Sequence, residues 1–328
     1  MATALGSLRN LLMTPTLAEV SFHGRGFPTT PSDVTRKLET IPQTVVCGFE
    51  WGIDARNLWE IERRVNLVEP ELHGFAYEGV TMAYTIRDAM SGRRNKLTEK
   101  LLRGPAQPHI FLTYIGIGFA MAKLPRPLWK NILPDLTGVP YHPTMSWLAI
   151  DGLGFDRAYF DTTTWITEQK QPTPYPWDGW PDYFPRAFDQ GIGRALWFIH
   201  GANVTDVTTA VNNFPTSRQA DLWSGVGLAA TFAGGCTAHD LGTLRHNAGA
   251  HAPHLAQGAI FAAKARTFSG YQPPQTETAI TALTDLTVST ASTLADDVAV
   301  GGLHSDVVPE YEVWRTKIRE SVGTLERH

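Results

Sequence analysis

Two cysteines in 328 residues are too few for a disulfide framework or a thiolate metal site. Cys47 and Cys236 therefore read as buried thiols of a reducing compartment. Charge is sparse as well: Asp, Glu, Lys and Arg make up 18% of the chain, the formal net charge is −4, and no run of basic residues occurs. A surface that tracks phosphates needs clustered Lys and Arg, so nucleic acid is excluded as a partner. The longest apolar run, Ile110 to Ala122, falls short of the roughly 20 residues that a bilayer requires. The opening MATALGSLRNLLM carries an arginine inside its apolar part and no small-residue cleavage site, which argues against a secretory leader and for a cytoplasmic address. Catalytic signatures are missing too. No Gly-x-Ser-x-Gly elbow occurs, and His246, His251 and His254 are spaced loosely around Gly249 and Pro253, so neither a standard hydrolase nor a metal site is expected. No cofactor is implied.

What the chain has in quantity is apolar residues, 43% of the total, arranged around regularly spaced glycines. Six phrases share one form: FAYEGVTMA, LTYIGIGFA, LAIDGLGFD, AFDQGIGRA, LWSGVGLAA and LAQGAIFAA. Their central glycines, Gly79, Gly116, Gly152, Gly191, Gly225 and Gly258, are 37, 36, 39, 34 and 33 residues apart. Steps of that size mark repeated supersecondary units. Ala83, Ala120, Ala195, Ala229 and Ala262 stand four places after five of the six glycines, and small residues at i and i+4 share one helical face. The phrases are apolar nearly all round, as a buried helix is, and lack the alternation of a strand. Glycine inside a helix costs roughly 0.5–1 kcal/mol relative to alanine, so its recurrence points to close helix approach. The dinucleotide fingerprint G-x-G-x-x-G is absent, and the partial Gly-x-Gly spelling reads as packing.

Shorter amphipathic segments lie between the glycine helices. Asn203 or Thr205 can cap VTDVTTAVNNF, Asp240 or Thr237 can cap DLGTLRHNA, and Thr276 or Thr278 can start ETAITALTDL. The fold expected is all-α, a right-handed stack of about six helix pairs, either an open tetratricopeptide-like solenoid or a closed α/α toroid. Residues 1–68 are expected to form an N-terminal helical cap, with helices over Ala4–Met13, Ser32–Leu38 and Asp54–Val68. Residues 69–300 form the repeat domain and 301–328 a capping helix that places Trp314 and Ile318 on one face, all as one continuous unit.

Equivalent positions of stacked units line one surface. Just before the central glycines stand Glu78, Ile115, Asp151, Gln190, Ser224 and Gln257, and one place earlier Tyr77, Tyr114, Ile150, Asp189, Trp223 and Ala256. A polar residue recurring in an apolar helix must find a partner or cost roughly 1–3 kcal/mol, so these positions form either a hydrogen-bond ladder or the lining of a cavity. Glu78, Asp151 and Asp189 are the candidate general acids or bases, since desolvation by aromatic neighbours raises a carboxyl pKa; pairing with Arg157 or Arg194 is the plain alternative. Candidate ligand contacts on this face are Tyr77, Tyr114, Gln190, Arg194, Trp223 and Gln257. The longest step holds QKQPTPYPWDGWPDYFP, whose prolines forbid a helix. Its Trp177 and Trp180 either cover the helices' own apolar surface or wall a ligand site.

The long phrases VEPELHGFAYEG, PHIFLTYIGIGFAMAKLPRPLW, PTMSWLAIDGLGFDRAYFD, DQGIGRALWFIHG and ADLWSGVGLAATFAGGC carry a likeness. From Gly48 to Thr267 the chain resembles a bacterial domain-of-unknown-function family whose members include the UnbL-type proteins of enediyne biosynthesis clusters. The resemblance implies a part in making an enediyne or related polyketide, beside a polyketide synthase and two companion proteins, one of them a membrane protein; it implies no catalytic residue. The expectation is an accessory protein that binds or helps process a linear polyene intermediate, cytoplasmic or held at the membrane through a partner. A non-catalytic scaffold that docks companion proteins and an acid–base cyclase with a buried carboxylate are the alternatives.

Overall fold

Start and stop residues divide the chain into helices in the computed structural model, which describes residues 15–91, 96–300 and 305–325. Two short turns, α1 (Leu17–Val20) and α2 (Phe22–Arg25), precede α3 (Asp33–Asp54), α4 (Leu58–Val65), α5 (His73–Met90), α6 (Leu97–Arg103), α7 (Ile110–Lys123) and α8 (Leu148–Phe160). After the proline-rich stretch come α9 (Phe184–Ile199), α10 (Val204–Asn212), α11 (Thr216–Ala233), α12 (Ala238–Ala248), α13 (Ala252–Ser269), α14 (Pro274–Thr284), α15 (Val288–Val300) and α16 (Glu310–Leu325). No strand occurs among the described residues, so the fold is all-α. None of their helices is long and apolar enough to cross a membrane.

Local chemistry sets the ends. The Asn203 side chain accepts the Asp206 N–H at the start of α10, and Thr237 and Asp240 form a reciprocal capping box at the start of α12, each such cap contributing about 1 kcal/mol. Gly249 stops α12 at positive φ. At α14 the expectation fails: the helix begins at Pro274 with no side-chain cap, so neither Thr276 nor Thr278 serves. Proline at the first position needs no partner for an N–H it lacks. The expected helix at Ala4–Met13 lies outside the described residues. The one expected at Ser32–Leu38 is the beginning of α3, which continues through Pro42 to Asp54. A proline inside a helix costs about 3 kcal/mol. Burial of Ile41, Val46, Phe49 and Ile53, at about 1.5–3 kcal/mol each, outweighs it.

The chain forms two compact units. The first holds the described residues up to Gly26 and Glu39–Leu153; the second holds Phe27–Leu38 and the described residues from Gly154 on. In the first, a Cβ added to Gly79 would lie 2.0 Å from the Val45 carbonyl oxygen, one on Gly116 2.2 Å from that of Glu78, and one on Gly118 2.0 Å from that of Ala149. In the second, a Cβ on Gly193 would lie 2.0 Å from the Leu222 oxygen, on Gly225 1.9 Å from Gln190, on Gly227 2.0 Å from Leu255, and on Gly258 1.9 Å from Ser224. No side chain fits at these points, so helix backbones touch directly. The two glycines of a Gly-x-Gly phrase are about 200° apart around the helix, and they serve opposite neighbours: Gly225 meets α9 and Gly227 meets α13. Gly48 in α3 behaves likewise, 2.1 Å from the Ala76 oxygen by the same measure. VVCGFEWG is therefore a further glycine phrase, which the sequence reading assigned to the cap.

Candidate functional site

The second unit encloses a polar centre built from four helices and the end of the proline-rich stretch. Arg315 of α16 is wholly buried, and Asp221 of α11, Glu312 of α16, Tyr183 and Gln190 of α9 are buried around it. Arg315 Nη1 donates to Tyr183 Oη at 2.7 Å, Asp221 Oδ1 at 2.9 Å and Glu312 Oε2 at 2.6 Å. Its Nε donates to Gln257 Oε1 of α13 at 2.9 Å, which also accepts Ser224 Oγ at 3.0 Å. Arg186 bridges both acids, with Nε 2.9 Å from Asp221 Oδ2 and Nη2 3.0 Å from Glu312 Oε1. Arg319 Nη2 reaches Glu312 Oε1 at 2.8 Å, Tyr183 Oη donates to Glu312 Oε2 at 2.6 Å, and Tyr311 Oη donates to Gln190 Oε1 at 2.9 Å. Gln190 Nε2 completes the set at 3.2 Å from Asp221 Oδ1.

Both carboxylates are thus saturated with donors. Burial raises the Glu312 pKa, but Arg315, Arg186 and Arg319 overcome it and hold the acid well below the ordinary range. Burial also pushes the Tyr183 phenol well above its ordinary value, against the pull of Arg315. Neither carboxylate is left as a free base, and the open valences of Arg315, Arg319 and Gln257 are donors. Arg315 Nη2, Arg319 Nη1 and Gln257 Nε2 have no hydrogen-bond partner within the protein, and neither has Nδ1 of the half-buried His254. Burial, then Arg319 and Arg315, lowers the His254 pKa to about 4 and keeps its ring neutral.

The residues singled out from the sequence divide between the units. In the second, Gln190 and Gln257 belong to the polar centre. Asp189 faces a separate partner: Arg218 Nε and Nη2 grip its two oxygens at 2.9 and 2.6 Å, while Arg218 Nη1 donates to the Gln169 carbonyl at 2.7 Å. Burial outweighs Arg218 and raises Asp189 to about 6, leaving it ionised at neutral pH. Arg194 stacks over Phe155 at 4.9 Å, Trp223 and Trp177 are buried, and Trp180 is half-buried. In the first unit, Glu78 and Asp151 are 3% and 1% exposed, buried within their helices. Tyr77 stacks on His109 with centroids 5.4 Å apart, and burial raises its phenol to about 12. Tyr114 Oη lies 2.7 Å from His142 Nδ1, with burial raising the tyrosine and lowering the histidine. No group of three or more His, Cys, Asp or Glu that could hold a metal occurs among the described residues. Both cysteines are half-buried free thiols; burial raises them, Cys236 to about 12.

Sequence reasoning missed Arg186, Asp221, Glu312, Arg315 and Arg319, which look like ordinary surface charges. One signal existed. Tyr311, Arg315, Ile318 and Val322 follow one another at four, three and four residues, so Arg315 stands in the apolar stripe of α16. Comparison with curated proteins and with solved structures returns no match. A family model, described as Protein of unknown function (DUF1702), matches residues 4–322. Covering nearly the whole chain, it shows that the chain belongs to the DUF1702 family.

Proposed function

We propose that this protein is an accessory component of enediyne-type polyketide biosynthesis, binding or helping to process a linear polyene intermediate on the way to the enediyne core. The observation that carries the reading is the likeness of long, unusual phrases spread from Gly48 to Thr267 to the UnbL-type proteins, within a family match that spans residues 4–322. Buried aromatic walls suit such a ligand: Tyr183, Tyr311, Phe261 and Trp314 crowd the second unit's polar centre, the last two rings 5.2 Å apart. The backbone contacts at Gly79, Gly116, Gly225 and Gly258 support reading the helices as stacked helix-pair repeats, tetratricopeptide-like or toroidal, about six in number. Deleting the gene is expected to abolish the mature core while polyene formation persists. An unchanged metabolite profile removes the reading.

A second reading is a scaffold that docks companion biosynthetic proteins in the cytoplasm. It draws on α4, where Trp59 and Leu67 just beyond it are 61% and 87% exposed and Arg63 lies over the Trp59 ring at 4.8 Å. Exposed aromatic and arginine side chains are the usual anchors of protein interfaces. Loss of companion-protein capture by Trp59→Ala, with polyene binding intact, would favour it. The acid–base cyclase rests on Asp189, whose raised pKa lies near the working range of a proton carrier. Amide variants of Asp189, Asp151 and Glu78 test it; full activity in all three removes it.

A further inference from the structure

The polar centre of the second unit is not balanced. Its hydrogen-bonded charged groups are Arg186, Arg315 and Arg319 against Asp221 and Glu312, three cations to two anions. The side chain of Arg315 is fully buried, that of Arg319 is 13% exposed and that of Arg186 is 40% exposed, so the excess positive charge lies towards the solvent-facing edge of the centre, with Arg315 behind it where water screens poorly. The free valences have the matching character. Arg315 Nη2 and Gln257 Nε2 belong to the two groups joined by the Arg315 Nε to Gln257 Oε1 hydrogen bond, so these unpartnered donors flank one contact. Arg319 Nη1 is a third, one helical turn along α16 from Arg315. His254 Nδ1 is a fourth unpartnered atom, on α13 three residues before Gln257, on the same side of that helix. The three buried donors, Arg315 Nη2, Arg319 Nη1 and Gln257 Nε2, each cost about 1–3 kcal/mol if left unmet.

We propose that this centre binds a carboxylate monoanion borne on an apolar body, the carboxylate accepting from Arg315 Nη2, Arg319 Nη1 and Gln257 Nε2. Water could satisfy the donors but would leave the charge. A phosphate dianion would overshoot it, whereas a single carboxylate brings the sum to zero and is planar, as a guanidinium edge requires. The apolar body is argued from the neighbours: Tyr311 and Phe261 rings lie 5.8 Å apart between α16 and α13, and Phe261 and Trp314 5.2 Å apart. The way in is marked by the exposed members of the cluster, Arg186, whose side chain is 40% exposed, together with Arg319 and the half-buried His254.

The reading does not depend on the pathway assigned above, since a simple fatty acid tests it. The full chain is titrated calorimetrically with sodium octanoate, and with octanol and sodium phosphate at matched ionic strength. The expected result is saturable one-to-one binding of octanoate, with no comparable heat from the other two. Gln257→Glu, which supplies a carboxylate from the protein itself beside Arg315, is expected to remain folded and to weaken octanoate binding about tenfold or more, the equivalent of one charge-assisted hydrogen bond. Arg319→Gln, which removes the excess charge at the edge of the centre, shifts binding in the same direction. Octanol binding as tightly as octanoate, no saturable octanoate heat in the unaltered chain, or full binding by Gln257→Glu would each overturn the proposal. A deletion strain with unchanged metabolites would leave it standing.

Discussion

The two units solve the same problem, polar groups inside apolar helices, with contacts of different reach. In the first, the contacts run from a single turn to the 35 residues between Arg87 Nη1 and the Gly52 carbonyl. Asp88 accepts the Leu97 and Thr98 N–H groups at 3.0 and 2.9 Å, nine and ten residues along the chain, and thereby starts α6. Tyr114 reaches His142, 28 residues away. In the second, polar groups tie together segments remote in sequence: Arg315 meets Asp221 across 94 residues and Tyr183 meets Glu312 across 129. Local polar contacts define where helices begin; the remote ones define which helices may neighbour which. A buried charged cluster stabilises little on balance but penalises wrong arrangements heavily, so it acts as a specificity device for the final helix.

The sharpest break of this contrast is Arg315→Ala. It removes the one fully buried cation that Asp221 and Glu312 share, leaving them Arg186 and Arg319 at the edge of the centre, and strips Tyr183 and Gln257 of a donor; it should cost about 2–4 kcal/mol in urea denaturation, and a loss under 1 kcal/mol would mean that the cluster holds nothing together. Next comes a glycine pair within the second unit. Gly225→Ala would thrust a methyl to 1.9 Å from the Gln190 oxygen and should cost about 1–3 kcal/mol, whereas Gly242→Ala on exposed α12, with nothing within 4 Å, should gain about 0.5–1 kcal/mol. Equal effects at the two sites would show that backbone contact is not what keeps Gly225. In the first unit, Asp88→Ala should cost about 1–3 kcal/mol through the two lost N–H bonds. Hydrogen exchange should quicken at Leu97 and Thr98; acceleration throughout α9–α16 would erase the distinction between local and remote contacts.

The effect that appears only on titration is in pH. An unfolded histidine titrates near 6.5, while His254 in the fold titrates at about 4. Between these values the unfolded chain binds the proton and the native chain does not, so stability falls as pH drops from about 6.5 to about 4. Asp189, raised to about 6, works in the opposite sense across much of that interval, since its unfolded form ionises first. His254→Gln should therefore flatten or invert the acid limb of a stability-against-pH curve. An unchanged limb would place the histidine in water-like surroundings.

Much of the helical content was legible because it rests on local causes. Asn203, Thr237 and Gly249 mark helix ends by chemistry confined to a few neighbours, and the recurring glycines announce close approach wherever they stand. The helix expected at Ser32–Leu38 continues as α3 through Pro42 to Asp54, carried past the proline by tertiary burial of Phe49 and Ile53, which no local signal announces. Of the polar centre, Gln190, Ser224 and Gln257 were visible as polar letters in apolar phrases. Of their partners only Arg315 carried a signal, its place in the apolar stripe of α16; nothing within a helical turn of Asp221 or Glu312 distinguishes a charge bound for the interior from one bound for solvent. Net charge, likewise, hides a cation excess that exists only once five side chains from three helices meet.

The paired glycines of α11 leave a mark on how this chain can change over generations. Gly225 and Gly227 each answer to a different neighbour, so one extra residue between them would turn the second by about 100° and drive a side chain into the Leu255 carbonyl. Point substitutions can be absorbed along such a helix, but its reading frame cannot slip. Length variation is thereby steered out of the helices and into the connections, such as the exposed Tyr271 and Gln272 between α13 and α14, where the backbone register of the glycine contacts is untouched.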